Sequence, residues 1–403
     1  MYTHRVLVPW EYEVNVKGGR VIAQLGDLYP RWVGTRELLL HGKNPYGPEV
    51  SHEIQVGFYG HPIVQSYDEP EHAPIDEQRF AYPVFVVFLL APTVHVPFTY
   101  LQTWGELFLA LLVAASAFVW LDFLHWRLSA LRTAAIIFFV LASPQVVQGL
   151  RFRQLGLLVA FLVAAAAWCV RNGHLASAGM LLALSTIKPQ MVVLVVLWFL
   201  LWTSGEWRRR WRLLAGFAGM LAFLATMGEL LLPGWIGYFL AGLAAYRKYF
   251  PTMSWLQAAL GLVVGNVVAG VVVLFLLAFA WKDRRENAAS PGFAVMLAAF
   301  LLLTTLVMPL MPPFNQILLL LPAMLLLRDW QKLSGWIQGA FVFFVAWPWV
   351  AALGGLAFSG YLRAPSRLAL LPSFATPLFP FVLAVLLVAW RKRGVAEVGT
   401  LAA

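Results

Sequence analysis

The stretch "AYPVFVVFLLAPTVHVPFTYL" (Ala81–Leu101) decides how the chain is read, because it is apolar and almost long enough to cross a bilayer. If it crosses, the polar residues before it stand on one side of the membrane; if it does not, they stand on the other. Pro92 and Pro97 interrupt helical hydrogen bonding and His95 lies between them. Only about eight good apolar residues then remain, from Val84 to Leu90 and just beyond. The segment therefore reads as a helix lying at the outer interface and not as a span.

The 403-residue chain is 61% hydrophobic and 12% charged, with a mean hydropathy of +0.75. A soluble domain carries roughly 25% charged residues, so this is an integral membrane protein. After Trp104, apolar runs near the length of a crossing recur at 104–121, 134–148, 155–170, 175–187, 189–203, 213–231, 255–280, 292–308, 315–327, 336–353 and 377–390. The expected fold is an all-α membrane protein, a polytopic bundle of about eleven transmembrane helices preceded by an N-terminal polar segment. Residues 1–100 form the expected head and 101–403 the transmembrane bundle. Met1–Gly26 holds no apolar run of signal length, so a first transmembrane helix is expected to be missing from the chain as given.

The net charge of +10 is read loop by loop as an orientation signal, and no nucleic-acid partner is expected. With eleven spans, one set of loops holds Arg127, Arg132, Arg171, Arg208, Arg209, Arg210, Arg212, Lys282, Arg284, Arg285, Arg328, Lys332, Arg391, Lys392 and Arg393. The opposite set holds Arg151, Arg153, Lys188, Arg247, Lys248, Arg363 and Arg367. Fifteen against seven places the first set and the C-terminus in the cytoplasm and the head outside. The seven outside cations are the anomaly, since charges so near hydrocarbon are costly unless paired. Cys169 is the single cysteine, so no disulfide can form within the chain, and His41, His52, His61 and His72 lack metal-binding spacing. No metal or cofactor is expected.

Eleven of the nineteen acids lie in the head. One of them, Asp27, opens "GDLYPRWVGTRELLLHGKNPY" (Gly26–Tyr46). Pro30 in the first turn, Leu28 and Trp32 four apart, Gly42 after His41 and the Asn44–Pro45 turn signal predict a helix from about Leu28 to His41. Asp27 fits as its N-cap. It also fits as an outward-facing carboxylate with chemistry to do. The rival is Glu229, just before "LLLPGW" at the outer boundary.

Four stretches in order resemble the membrane glycosyltransferases of family 87: "GDLYPRWVGTRELLLHGKNPY", "FAYPVFVVFLLAPTVHVPF", "RQLGLLVAFLVAA" and "STIKPQMVVLVVL". Together they cover roughly residues 26–200. The resemblance implies a GT-C fold, with the catalytic loop in the head, and transfer of a hexose, such as mannose, or a pentose from a polyprenyl-phosphate carrier. The implied acceptor is a lipid, glycan or protein at the outer membrane face. "MPLMPPFNQILLLLP" departs from the family pattern by carrying Asn315 and Gln316 where a histidine or other aromatic polar group is expected.

The chemistry needs one carboxylate to take a hydroxyl proton and cations to hold a leaving phosphate. A single base on the face opposite the leaving group gives inversion. Asp27 is the expected catalytic residue. Lys188, Arg151 and Arg153 are the expected donor-phosphate residues, and the resemblance adds Gln154 and Gln190. Glu229, Arg247, Lys248 and Asn315 are secondary. A transporter or flippase for lipid-linked sugars would also need outside cations, although repeated halves are absent. An inactive, truncated family member is the third reading.

Overall fold

The computed structural model describes residues 2–17, 25–60, 78–249, 253–309, 312–358 and 367–400, and these are helical or irregular throughout. After α1 (Val8–Lys17) come α2 (Leu28–His41), α3 (Pro48–Tyr59) and the short α4 (Val86–Leu90). Gly42, at φ 68°, stops α2 by returning the N–H groups of Gly42 and Lys43 to Leu38 and Glu37 carbonyls. Asn44 then makes an Asx turn to the Tyr46 amide, 3.0 Å, and the Tyr46 hydroxyl donates to Tyr82 O at 2.6 Å. The Lys43 ammonium meets Glu53, Glu49 and Glu37 at 2.6, 2.9 and 3.3 Å, which fastens α2 to α3.

Ala81–Leu101 holds no helix of crossing length of its own; its last four residues, Phe98–Leu101, begin the next helix. Its helix α4 has five residues, and Val84, Val86 and Val87 are fully buried against protein. The hydrophobicity that made the segment look like a span serves packing on α2.

The chain continues through α5 (Phe98–Phe123), α6 (Ala130–Leu141), α7 (Pro144–Arg151), α8 (Gly156–Arg171), α9 (Leu175–Ser185), α10 (Val193–Gly205) and α11 (Trp207–Leu231). It ends with α12 (Trp235–Tyr249), α13 (Trp255–Leu260), α14 (Leu262–Lys282), α15 (Pro291–Val307), α16 (Leu320–Arg328), α17 (Gly335–Phe358) and α18 (Phe379–Thr400). Among the described residues four helices are long and apolar enough to cross a membrane: α5, α11, α14 and α17. A fifth crossing results if α6 and α7, bent by 59° at Ser143–Pro144, are counted as one.

The expectation of about eleven transmembrane helices is therefore corrected to four or five. Two physical causes produced the overcount. First, breakers cut the apolar runs: Gly261 at φ 82° divides 255–280 into α13 and α14, and Pro189 opens a 3-10 turn that leaves α10 with 13 residues. At 1.5 Å per residue the 16 residues of α8 reach about 24 Å, short of a roughly 30 Å hydrocarbon core. Second, apolarity also marks a helix buried in protein. Eleven of the 16 residues of α8 and twelve of the 17 of α15 are buried, against 6% of the most apolar window of α14. Hydropathy reads both environments alike. The chain is a multi-pass membrane protein, and the loop numbering behind the fifteen-to-seven count rested on the larger number of crossings.

Two contacts set the bundle's spacing. Helices α9 and α11 cross so closely that a Cβ on Gly179 would meet Leu213 O and one on Gly216 would meet Ala176 O. At the turn between α10 and α11, Arg210 stacks on Trp202 with its guanidinium carbon 3.8 Å from the ring centroid. It donates to the carbonyls of Trp202, Arg284 and Glu286 at 2.7, 2.8 and 3.0 Å, pinning that turn to the loop after α14.

Candidate active site

The loop before α2 is laid against the end of α7. Gly26 adopts φ 71°, and a Cβ there would come within 2.8 Å of Phe152 O, the acceptor of the Asp27 amide at 2.8 Å. Glycine therefore lets the two backbones touch. Asp27 stands at the N-cap position of α2, but in the αR region and with no capping bond from its side chain. Its carboxylate turns away from the helix and accepts a hydrogen bond from Gln154 Nε2.

Gln154 reaches it because α7 ends in a left-handed turn. Arg153 takes φ 50°, and the Gln154 amide returns to Gly149 O at 2.8 Å, a helix stop that usually falls to glycine. The Arg153 guanidinium holds that strained turn: it donates to Gln102 O at 3.1 Å and Arg151 O at 2.9 Å and pairs with Glu106 at 3.6 Å. Arg151 pairs with Glu11 of α1.

From the other side Lys188, only 7% exposed, donates from Nζ to Gln154 Oε1 at 3.2 Å and to Asn315 Oδ1 at 3.0 Å. The ring of Phe314 lies 5.1 Å from the ammonium. Gly156 makes the room, since a Cβ would sit 3.3 Å from Nζ and 3.4 Å from Asn315 Oδ1. Asn315 rides on the 3-10 segment Pro313–Leu319, and its neighbour Gln316 fixes that segment by donating to Thr376 O at 2.8 Å. Burial pushes the Lys188 ammonium well below the ordinary lysine range; the Asp27 charge opposes that fall and Arg31 adds to it.

The structure thus brings together Asp27, Gln154, Lys188 and Asn315, which come from four separate parts of the sequence. Arg151 and Arg153 stand beside them, with their guanidinium groups engaged as above. Gln190 is half-buried in the 3-10 turn after Lys188. Glu229 is exposed at the end of α11, where its carboxylate accepts the Gly234 amide at 2.7 Å and closes a turn. Arg247 and Lys248 fall in the last turn of α12 with side chains outside the described residues, as does Arg363 with its whole residue. The acidic loop containing Asp68–Glu77 also lies outside them.

Sequence reasoning missed Arg31. Four positions after Asp27, its guanidinium donates to Asp27 O at 2.6 Å and lies 4.6 Å over the Tyr82 ring. The i, i+4 spacing was the signal available. Among the described residues no three His, Cys, Asp or Glu side chains converge at metal-binding range.

One carboxylate, one buried ammonium and one guanidinium are therefore linked in one hydrogen-bonded cluster through Gln154 and the Asp27 carbonyl. The arrangement can take a proton and hold an anion within a few ångströms. The family model for glycosyltransferase family 87 matches residues 80–309, which include Arg151, Arg153, Gln154 and Lys188 and leave Asp27 and Asn315 outside. No curated protein and no solved structure matches the chain. With more than half of its length matched, the chain belongs to glycosyltransferase family 87.

Proposed function

We propose that this glycosyltransferase moves a hexose or pentose from a polyprenyl-phosphate carrier to a hydroxyl of a lipid, glycan or protein acceptor at the extracytoplasmic face. The observation that carries the reading is the Gln154 amide, which ties the Asp27 carboxylate to the Lys188 ammonium. In the reaction the acceptor oxygen bonds to the anomeric carbon while the bond from that carbon to the phosphate oxygen breaks. The acceptor proton passes to Asp27. The bonding electron pair leaves on the phosphate, whose charge Lys188 and Arg31 offset. With one base opposite the leaving group the anomeric centre inverts.

Sidedness is supported by where the cations gather. Lys188 stands before α10, whereas Arg208, Arg209 and Arg212 follow it, beside the loop of Arg284 and Arg285 that Arg210 grips. Arg391 joins the same end through Asp283 at 3.7 Å. The positive-inside rule assigns that basic end to the cytoplasm; α11, long enough to cross, starts there and at its other end meets the head, where Gly228 packs on Val84.

Membranes holding the full-length protein, given a radiolabelled polyprenyl-phosphate sugar, should yield a new labelled glycolipid, glycan or glycoprotein. Unchanged donor, with protein present and folded, overturns the reading.

A further inference from the structure

A cavity of about 320 Å³ opens beside the site. Its walls are the bend between α6 and α7, the proline that starts the Asn315 segment, and α17 around Pro348, while Tyr2 and Leu7 of the N-terminal segment close it. The lining is apolar towards α17. There it adjoins a second cavity, of about 380 Å³, through the shared residues Trp349 and Leu353. Towards the site it is polar, with Arg151, Gln148 and Thr376 on the wall. Among the described residues Gln148 Oε1 and Thr376 Oγ1, buried there, find no hydrogen-bond partner, an arrangement that costs free energy unless something visits. The Thr376 hydroxyl and, after an amide flip, the Gln148 side chain can donate to an anion.

A ribbon of cations and rings joins this cavity to the site. The Arg151 guanidinium lies 5.4 Å over the Phe152 ring, Phe152 is 6.4 Å from Phe314, and Phe314 is 5.1 Å from the Lys188 ammonium. A polar end that suits a phosphate, continuous with an apolar trough, matches a long-chain lipid phosphate. On Arg151, however, the structure seats a carboxylate, that of Glu11. The Tyr2 ring lies against Gly355 of α17, where a Cβ would come within 2.8 Å of it.

We propose that the N-terminal segment around α1 is a strap over the lipid entrance, in which Glu11 holds on Arg151 the place that the lipid phosphate takes on its way to Lys188. This rests on the donor reading given above. Entry then exchanges one anion for another on the same guanidinium, so the bound lipid releases the strap and the closed strap slows lipid entry.

The test measures binding of a polyprenyl phosphate bearing no sugar to the detergent-purified full chain by native mass spectrometry. Binding is compared with phosphatidylglycerol and with the unphosphorylated polyprenol. Glu11→Gln should bind the polyprenyl phosphate about threefold to tenfold more tightly than wild type, the scale of a released, partly buried ion pair. Arg151→Gln should bind it more weakly. A spin label at Tyr12→Cys, which is 64% exposed, in a Cys169→Ser background should gain mobility when the polyprenyl phosphate is added. Equal affinity of wild type and Glu11→Gln, with no change in label mobility, overturns the strap while leaving the donor reading standing. A gain of the same size for phosphatidylglycerol overturns it by making the cavity a site for ordinary bilayer lipid. Failure of wild type and every variant to bind the polyprenyl phosphate overturns both readings together.

Discussion

The side-chain amide of Gln154 donates to the carboxylate of Asp27 across 127 positions of sequence, and the same amide's oxygen accepts from Lys188. Because an ammonium can only donate, it fixes which end of the amide faces Asp27. The end that remains is N–H, a donor aimed at the carboxylate. Gln154 is thus a positioning residue for the proposed base.

Gln154→Leu should therefore lower kcat by about tenfold to a hundredfold, since small misplacements of a reacting group have effects of that size. It also leaves Lys188 without one buried acceptor, so the melting temperature in detergent should fall, by an amount set by about 1–3 kcal/mol. Gln154→Glu keeps an acceptor for Lys188 and places a second carboxylate beside Asp27. It should restore the melting temperature without restoring kcat. Recovery of both would make the residue a structural acceptor only.

Asp27→Asn separates protein stability from proton transfer. The αR backbone and the absence of a capping bond remove the N-cap role that its sequence position suggested. The variant should express and melt as wild type, since asparagine can still accept from Gln154. Transfer should drop by about 10²–10⁴-fold, the usual contribution of a general base. Asp27→Glu should fall between the two. Near-normal transfer by Asp27→Asn would move the search to Glu229→Gln, despite the turn that Glu229 closes.

How much of this was legible differs by element. Helix α2 was readable because its stop is local: Gly42 and the Asn44 turn act through bonds a few residues apart. The number of crossings was not, because α8 and α14 are similarly apolar while one faces protein and the other does not. Lys188 and Gln154 stood out through the stretches that resemble a family, yet their meeting with Asp27 depends on the turn at Arg153, whose left-handed backbone no arginine announces. Glu11 was unreadable for the same reason: its partner Arg151 is 140 positions away.

The crossing of α9 and α11 should tolerate no side chain at its two glycines. Gly179→Leu or Gly216→Leu drives carbons into Leu213 O or Ala176 O, and overpacking of this kind costs about 1–3 kcal/mol. Thermal unfolding in detergent should shift down for both. Gly219→Leu, on the same α11 but with open space at its Cβ, should not shift. Equal melting of all three would mean that the helices can part without loss.

Sidedness can be read chemically. In a Cys169→Ser background, His52→Cys and Arg209→Cys place thiols at exposed positions of the head and of the basic end. A membrane-impermeant maleimide should label the first in intact cells and the second only after permeabilisation. The reverse pattern would put the Asp27 site in the cytoplasm.

Lys188 gives a pH signature. Burial, the largest influence, lowers its proton affinity, Asp27 raises it and Arg31 lowers it again, so the ammonium loses its proton at a pH well below the 10.5 of a free lysine. The cation proposed to hold the donor phosphate is complete below that folded-state value and is lost as the pH rises through it. Affinity for a polyprenyl phosphate should therefore decline with rising pH while the phosphate itself stays anionic. Lys188→Arg keeps its charge throughout and should bind without that decline. Lys188→Gln should bind weakly at every pH, which covers the case in which arginine does not fit beside Gly156. A wild-type affinity that is flat from mildly acidic to alkaline pH, matched by Lys188→Gln, would show that the buried ammonium holds Gln154 and Asn315 in place and never meets the donor.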